Sequence, residues 1–549
     1  MKKYDVILIT PDAYVDHPAF AHALLKHNLI KAGYSVAVID RPKWQEKEYF
    51  KFGTPNLFWA VSGGNVDSVV LNYTASGKKR KTDAYQENGN AYFPGMPKGE
   101  KSRIRPDRCI NVYVNGIKSK DKTTPIVIGG IEASLRRFAH YDFLSKKVRA
   151  SVLVQSGADM LIYGMGEKTI IQTAKSLKDG QDIKSLNING TCRLLSKDEN
   201  FIGIELPSFD EVRENKTAFV EMTEIIYKNQ NPYIAKPLMQ VHSGRRLVQF
   251  PPAMPLTTKE IDDIYNHNFD FGKNKTNIPA LRMIQNSITS HRGCFGGCSF
   301  CALTVHQGKN IVSRSETSIL DEIKKKAAMP KFNRVISDIG GPSAEMYKYV
   351  CENKTCERIS CLYPDVCKNI SSRDNGLAKL YKKALGLKNK NGKKFLKHVF
   401  VGSGLRYDLL SLYPEVFEFV VCNNVSGYLK VAPEHSAAQV LKLMNKPDIK
   451  VFEKFLNKFK TLSKKAGKKQ FVIPYLIIGH PGETREHIYN LKDFLKKHNL
   501  KAEQVQIFTP TPMTLSTGMY YTGIVPFTRE KVETCKDIKE LEYRKKTVL

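Results

Sequence analysis

The chain has 549 residues, 42% hydrophobic and 10% aromatic, a composition that excludes a disordered protein and accommodates about two or three domains. No apolar run approaches the ~20 residues of a transmembrane helix, and the eleven cysteines are clustered, which argues for metal chemistry in a reducing compartment against a disulfide framework. The net charge of +32 favours an anionic partner such as nucleic acid, while lysines scattered at 388–397 and 464–469 also fit a solvated surface. The expectation is a cytoplasmic protein with no membrane partner.

From residue 3 to about 190, short β-branched runs alternate with amphipathic helices, the pattern of a parallel α/β domain. A strand over Val6 to Thr10 leads to a helix whose apolar face carries Phe20, Leu24, Leu25 and Leu29, ended by Gly33, and then to a strand over Ser35 to Ile39. Later strands are expected at Pro125 to Ile128, closed by Gly129-Gly130, and at Asp159 to Tyr163, closed by Gly164-Met165-Gly166. Those glycines fall at strand C-termini, where open α/β sheets bind ligands. A polar, Lys-, Asn- and Gly-rich stretch near 72–120 reads as a mobile insertion.

Residues 200–284 read as a connector. A helix is expected from Phe209 to Asn229, then an extended strap from Val241 through Pro251, Pro252 and Pro255, then a capping box at Thr257 and Glu260.

The most informative stretch is Ser290-His291-Arg292-Gly293-Cys294-Phe295-Gly296-Gly297-Cys298-Ser299-Phe300-Cys301. Thiolates suit zinc or iron-sulfur clusters, and glycines let a loop fold tightly around one. Three cysteines in C-x3-C-x2-C spacing would leave one iron of a cubane open to a non-protein ligand. A structural zinc site completed by His291 or His306 is the bland alternative.

After the loop, strand-like runs alternate with helices: Arg334 to Ser337, His398 to Val401, Gly427 to Val431, Phe471 to Ile478 and Gln504 to Phe508. Counting the strand before Cys294, this gives six repeats. A second group, Cys351, Cys356, Cys361 and Cys367, has C-x4-C-x4-C-x5-C spacing and reads as a second candidate metal site, for zinc or an auxiliary cluster. Cys109, Cys192, Cys422 and Cys535 are isolated and read as structural.

The cysteine loop, the run from Val305 to Ser315 and the proline strap together resemble the YgiQ-type branch of the radical SAM proteins. The resemblance implies an α/β fold in which a Rossmann-like, cobalamin-binding-like domain (1–199) and the connector (200–284) precede a partial (β/α)6 radical SAM barrel with a C-terminal helical extension (285–549). It implies a 4Fe-4S cluster on Cys294, Cys298 and Cys301 that cleaves S-adenosylmethionine to a 5′-deoxyadenosyl radical, with an external electron donor. Contacts to S-adenosylmethionine would come from Phe300, from Gly340 and Gly341, from Ser403 and Arg406, from Glu434, and from Gly479 and Pro481. Pro342 stands where the family's glutamate is commonest, so only the backbone role carries over there. The motif D-x-H-x-x-G, which gives cobalt a histidine, is missing, and this argues against cobalamin. The substrate is unknown; RNA or a ribosomal component fits the basic balance. The alternative from another class is a non-catalytic, zinc-containing nucleic-acid-binding protein.

Overall fold

In a computed structural model of the chain, the described residues are 3–273, 277–372 and 376–549. They group into two units. The first comprises Met1–Met254, His267–Met283 and Thr509–Thr528; the second comprises Pro255–Asn266, Ile284–Phe508 and Arg529–Leu549.

The first unit is built on a nine-stranded sheet. Its strands are β1 (Val6–Thr10), β2 (Val36–Asp40), β3 (Phe58–Ser62), β4 (Ile126–Gly129), β5 (Met160–Ile162), β6 (Thr191–Leu194), β7 (Ile204–Glu205), β8 (Leu238–His242) and β9 (Arg245–Gln249), in the order β2-β1-β3-β4-β5-β6-β9-β8-β7. The first five are mutually parallel, whereas β6, β9 and β8 join antiparallel. All five residues of β1 are buried, which explains its unbroken apolar run: helices cover both faces of a parallel strand. Helices α1 (Ala21–Lys31), α2 (Cys109–Lys118) and α3 (Glu167–Lys178) supply part of that cover.

Two stretches differ from expectation. The first half of the strap is a hairpin, β8 and β9, because Ser243 and Gly244 both take positive φ (48° and 78°), the geometry of a tight two-residue turn. Only the proline-rich half beyond Gln249 lacks regular structure. The polar segment 72–120 ends in α2, whose Ile110, Tyr113, Val114 and Ile117 are fully buried against the sheet. Within it Arg105 is also buried, donating to Asp12 Oδ1 (2.5 Å) and Asp83 Oδ2 (2.9 Å).

The second unit carries six parallel strand positions in sequence. They are β10 (Ser287–Thr289), the broken strand β11 and β12 (Val335–Ile336 and Asp338–Gly340), β13 (His398–Val399), β14 (Tyr428–Glu434), β15 (Phe471–Ile478) and β16 (Gln504–Ile507). β10 pairs with β12, β11 with β13, β14 with β15 and β15 with β16, all parallel, and a Leu405–Val431 bridge continues the series. Helices α4 (Glu316–Ala327), α5 (Gly376–Gly386), α6 (Pro414–Asn424), α7 (Ile449–Lys465) and α8 (Arg485–His498) alternate with them. On α8 the expected apolar positions Ile488, Leu491 and Leu495 are buried. The whole is a mixed α/β fold with a large, mostly parallel sheet. Among the described residues no helix is long and apolar enough to cross a membrane.

Candidate cofactor site

The cysteine loop leaves the C-terminal end of β10 and is held on several sides. Cys294 N–H donates to Gly308 O (3.0 Å), Ser299 Oγ to Leu443 O (2.7 Å), Asn445 Nδ2 to Gly297 O (3.1 Å) and Ser360 Oγ to Gly296 O (2.7 Å). Gly297 has φ +60°, and a Cβ there would lie 2.6 Å from Ser360 Cβ, so no larger residue fits. Burial pushes the Cys294 thiol up to about 11 and the Cys301 thiol up to about 12. Thiolates at these positions therefore need a positive partner, such as iron.

One such charge is already there. Arg406, after β13, donates from Nη1 to Cys298 Sγ (3.3 Å), while its other edge pairs with Asp408 through Nε (3.1 Å) and Nη2 (2.6 Å). Ser403, on the same loop, is organised by Asp338 of β12: one carboxylate oxygen accepts from Gly402 N, Ser403 N and Ser403 Oγ, at 2.9, 3.0 and 3.0 Å. Gly340 and Gly341 follow on the same strand end; the Gly340 carbonyl accepts from Ser290 N–H (2.7 Å), and a Cβ on Gly341 would sit 2.7 Å from the His291 ring. His291 is therefore packed as a neutral buried ring, its pKa lowered to about 3 by burial.

Glu434 ends β14 at φ +71° with its side chain buried, its carboxyl raised by burial and lowered by Lys446, whose Nζ is 3.8 Å away. It lies close enough to Cys301 to oppose that thiol's ionisation. Gly479 donates to Glu483 Oε2 (2.9 Å), and the Pro481 carbonyl faces His480 Nδ1 (2.9 Å), whose ring stands edge-on to Phe300 at 6.5 Å. The expected residues thus fall at the strand ends of the second unit. Glu345, Asp338 and Asp408 were not foreseen. Ser343 Oγ (2.6 Å) and Arg406 N–H (3.0 Å) donate to Glu345 Oε1; Oε2 is buried without a hydrogen bond, and burial pushes the carboxyl up to about 7. Lone acids with no spacing pattern give sequence reasoning nothing to hold.

Among the described residues no group of three His, Cys, Asp or Glu side chains is gathered to hold a metal ion. The chemistry of the donor set, three soft thiols in a glycine-lined loop with a guanidinium aimed at one sulfur, fits an iron-sulfur cluster.

The Radical SAM N-terminal family matches residues 1–287, and a UPF0313 protein of Methanocella arvoryzae is 44% identical over 98% of this chain and 88% of its own length. This chain belongs to the UPF0313 family, the YgiQ-type radical SAM proteins. Another UPF0313 member, from Geobacter sulfurreducens, is 43% identical over 99% of this chain and 89% of its own. A domain of unknown function, DUF3362, matches residues 503–547. Among solved structures, the radical S-adenosylmethionine methyltransferase TsrM of Kitasatospora setae, with cobalamin and a [4Fe-4S] cluster bound, aligns with TM-score 0.53 at 16% identity. The alignment covers 94% of this UPF0313 chain and 74% of TsrM. The argument against cobalamin is corrected by that likeness. D-x-H-x-x-G supplies only an axial imidazole, a single contact to a large group, and a protein of this fold is solved with cobalamin bound, so the missing motif does not weigh against the corrin.

Proposed function

We propose that this UPF0313 protein is a radical SAM enzyme whose second unit is a partial (β/α)6 barrel, preceded by a Rossmann-like, cobalamin-binding-like unit. Cys294, Cys298 and Cys301 would hold a [4Fe-4S] cluster. When bound, the cluster supplies the electron that cleaves S-adenosylmethionine into methionine and a 5′-deoxyadenosyl radical. The observation that carries the reading is the Arg406 contact to Cys298 in a three-cysteine loop at the parallel strand ends.

The chain's own groups have separate tasks. Arg406, neutralised on one side by Asp408, offsets the negative charge of the thiolates. Asp338 presents Ser403 and the Gly402–Ser403 amides as a preformed polar surface. Glu345 Oε2, without a hydrogen bond, offers an acceptor for the ammonium of S-adenosylmethionine where Pro342 cannot. Phe300 and His480 furnish an apolar wall for the adenine and exclude water. Electrons come from an external donor.

Cobalamin enters as a second cofactor of the first unit, a reading supported by the likeness to TsrM, with Gly64 (φ +93°) and Gly130 (φ +83°) just past the C-terminal ends of β3 and β4. An absorbance titration of the cofactor-free protein with hydroxocobalamin tests this. RNA or a ribosomal component is the proposed substrate class, supported by the +32 charge. Salt-dependent binding to ribosomal RNA is expected, and no affinity at low salt would remove it. The cluster itself is tested by electron paramagnetic resonance of the dithionite-reduced, reconstituted protein. A signal that changes on adding S-adenosylmethionine supports the reading; an unchanged one contradicts it.

A further inference from the structure

The cysteines at 351–367 take no part in the site above, yet they are built against it. Cys351 ends one strand of a small ribbon, Tyr349–Cys351 paired antiparallel with Ile370–Ser372, so that the intervening chain returns beside its start. Within that excursion Cys367 N–H donates to Cys361 O (2.7 Å), and the Cys361 thiol lies in the electrostatic field of Cys367, Cys351 and Cys356 together. The four sulfurs therefore share one locality. Cys361 and Cys367 are 7% exposed and pack with Phe295, Met346, Tyr349 and Leu362.

The surroundings are those of an anionic centre. Lys309 Nζ is fixed between Cys356 O (3.2 Å) and Arg358 O (2.8 Å), and its charge reaches Cys361. Arg358 stitches the excursion from inside, donating to the carbonyls of Ser360 (3.1 Å) and Asp365 (2.9 Å). Its backbone N–H donates to Cys356 Sγ (3.4 Å), and hydrogen bonds to thiolate sulfur stabilise reduced iron-sulfur clusters. A cubane takes one thiolate on each of four irons, and the excursion offers four.

We propose that Cys351, Cys356, Cys361 and Cys367 ligate a second [4Fe-4S] cluster, closed to substrate because every iron has a protein thiolate. Its loop is welded to the first: Cys361 N–H donates to Phe295 O (3.0 Å), and Ser360 Oγ reaches Gly296 O. The second centre thus braces the backbone that carries Cys294 and Cys298.

The test counts iron and sulfide in anaerobically reconstituted full-length protein. About eight of each per chain are expected in the wild type. About four are expected in Cys294→Ala/Cys298→Ala/Cys301→Ala, and about four in Cys351→Ser/Cys356→Ser, which removes only the two more accessible thiols. Four in the wild type and none in the triple variant would overturn the second cluster while leaving the first intact. Zinc in place of iron in the triple variant would also overturn it. Four in both the wild type and the triple variant, with none in the double variant, would uphold the second cluster and remove the first.

Discussion

Arg406 and Cys298 are bound to one another across 108 residues of chain, guanidinium Nη1 to Sγ at 3.3 Å, with Asp408 fixing the far side of the guanidinium. A charge-assisted hydrogen bond to a cluster thiolate stabilises the more negative, reduced state. Arg406→Met should therefore move the cluster potential about 50–100 mV more negative, the equivalent of one such bond. A redox titration followed by electron paramagnetic resonance reads it, and an unmoved potential would show that the contact does not reach the cluster.

Asp338 accepts three hydrogen bonds from Gly402 and Ser403 with one oxygen. Asp338→Ala should leave these donors unsatisfied and loosen the turn, weakening S-adenosylmethionine binding by about tenfold, or about 1.4 kcal/mol. Asp338→Asn, which keeps an acceptor, should recover most of it. Calorimetric titration of the reconstituted protein distinguishes the two.

In the first unit, Arg105 neutralises Asp12 and Asp83, and all three side chains are at most 2% exposed. Arg105→Met strands two buried carboxylates and should cost about 3–5 kcal/mol of stability. Thermal unfolding followed by circular dichroism should show a clearly lower midpoint. An unchanged midpoint would mean that 72–107 does not brace the strand ends of β1 and β3.

His140 is fully buried between Arg136, which donates to Nε2 (3.1 Å), and Phe138 O, which accepts from Nδ1 (3.0 Å). Burial, then the Arg136 charge, lowers its pKa from 6.5 to about 3. The unfolded chain thus binds a proton that the folded ring refuses. The contribution of His140 to stability is complete above pH 6.5 and is lost as pH falls from 6.5 towards 3, by about 2–5 kcal/mol. His140→Gln should flatten the fall of the unfolding midpoint between pH 6.5 and 4.5; an equal slope in both proteins would contradict the assignment.

What the sequence disclosed follows physical necessity. A cluster would fix cysteine spacing locally, so the proposed role of Cys294, Cys298 and Cys301 is read from spacing alone. Phe471–Ile478 was legible as a strand because eight apolar or β-compatible residues precede a glycine turn, and the structure gives the same bounds. Phe58–Ser62 was not, because four consecutive buried residues between polar loops lack a period. The β8–β9 hairpin was hidden by the prolines beyond it, which drew attention from the Ser243-Gly244 turn. Asp338, Glu345 and Asp408 acquire roles only through groups 2 to 65 residues away. No local pattern encodes such pairings.

Cys294, Cys298 and Cys301 are proposed to support reductive cleavage of S-adenosylmethionine. The most direct test is chromatographic measurement of 5′-deoxyadenosine after anaerobic incubation of the reconstituted protein with S-adenosylmethionine and dithionite. Formation by the wild type and none by Cys298→Ala is the predicted result. Equal yields from both proteins, or none from a wild type that holds its full complement of iron and sulfide, would contradict it.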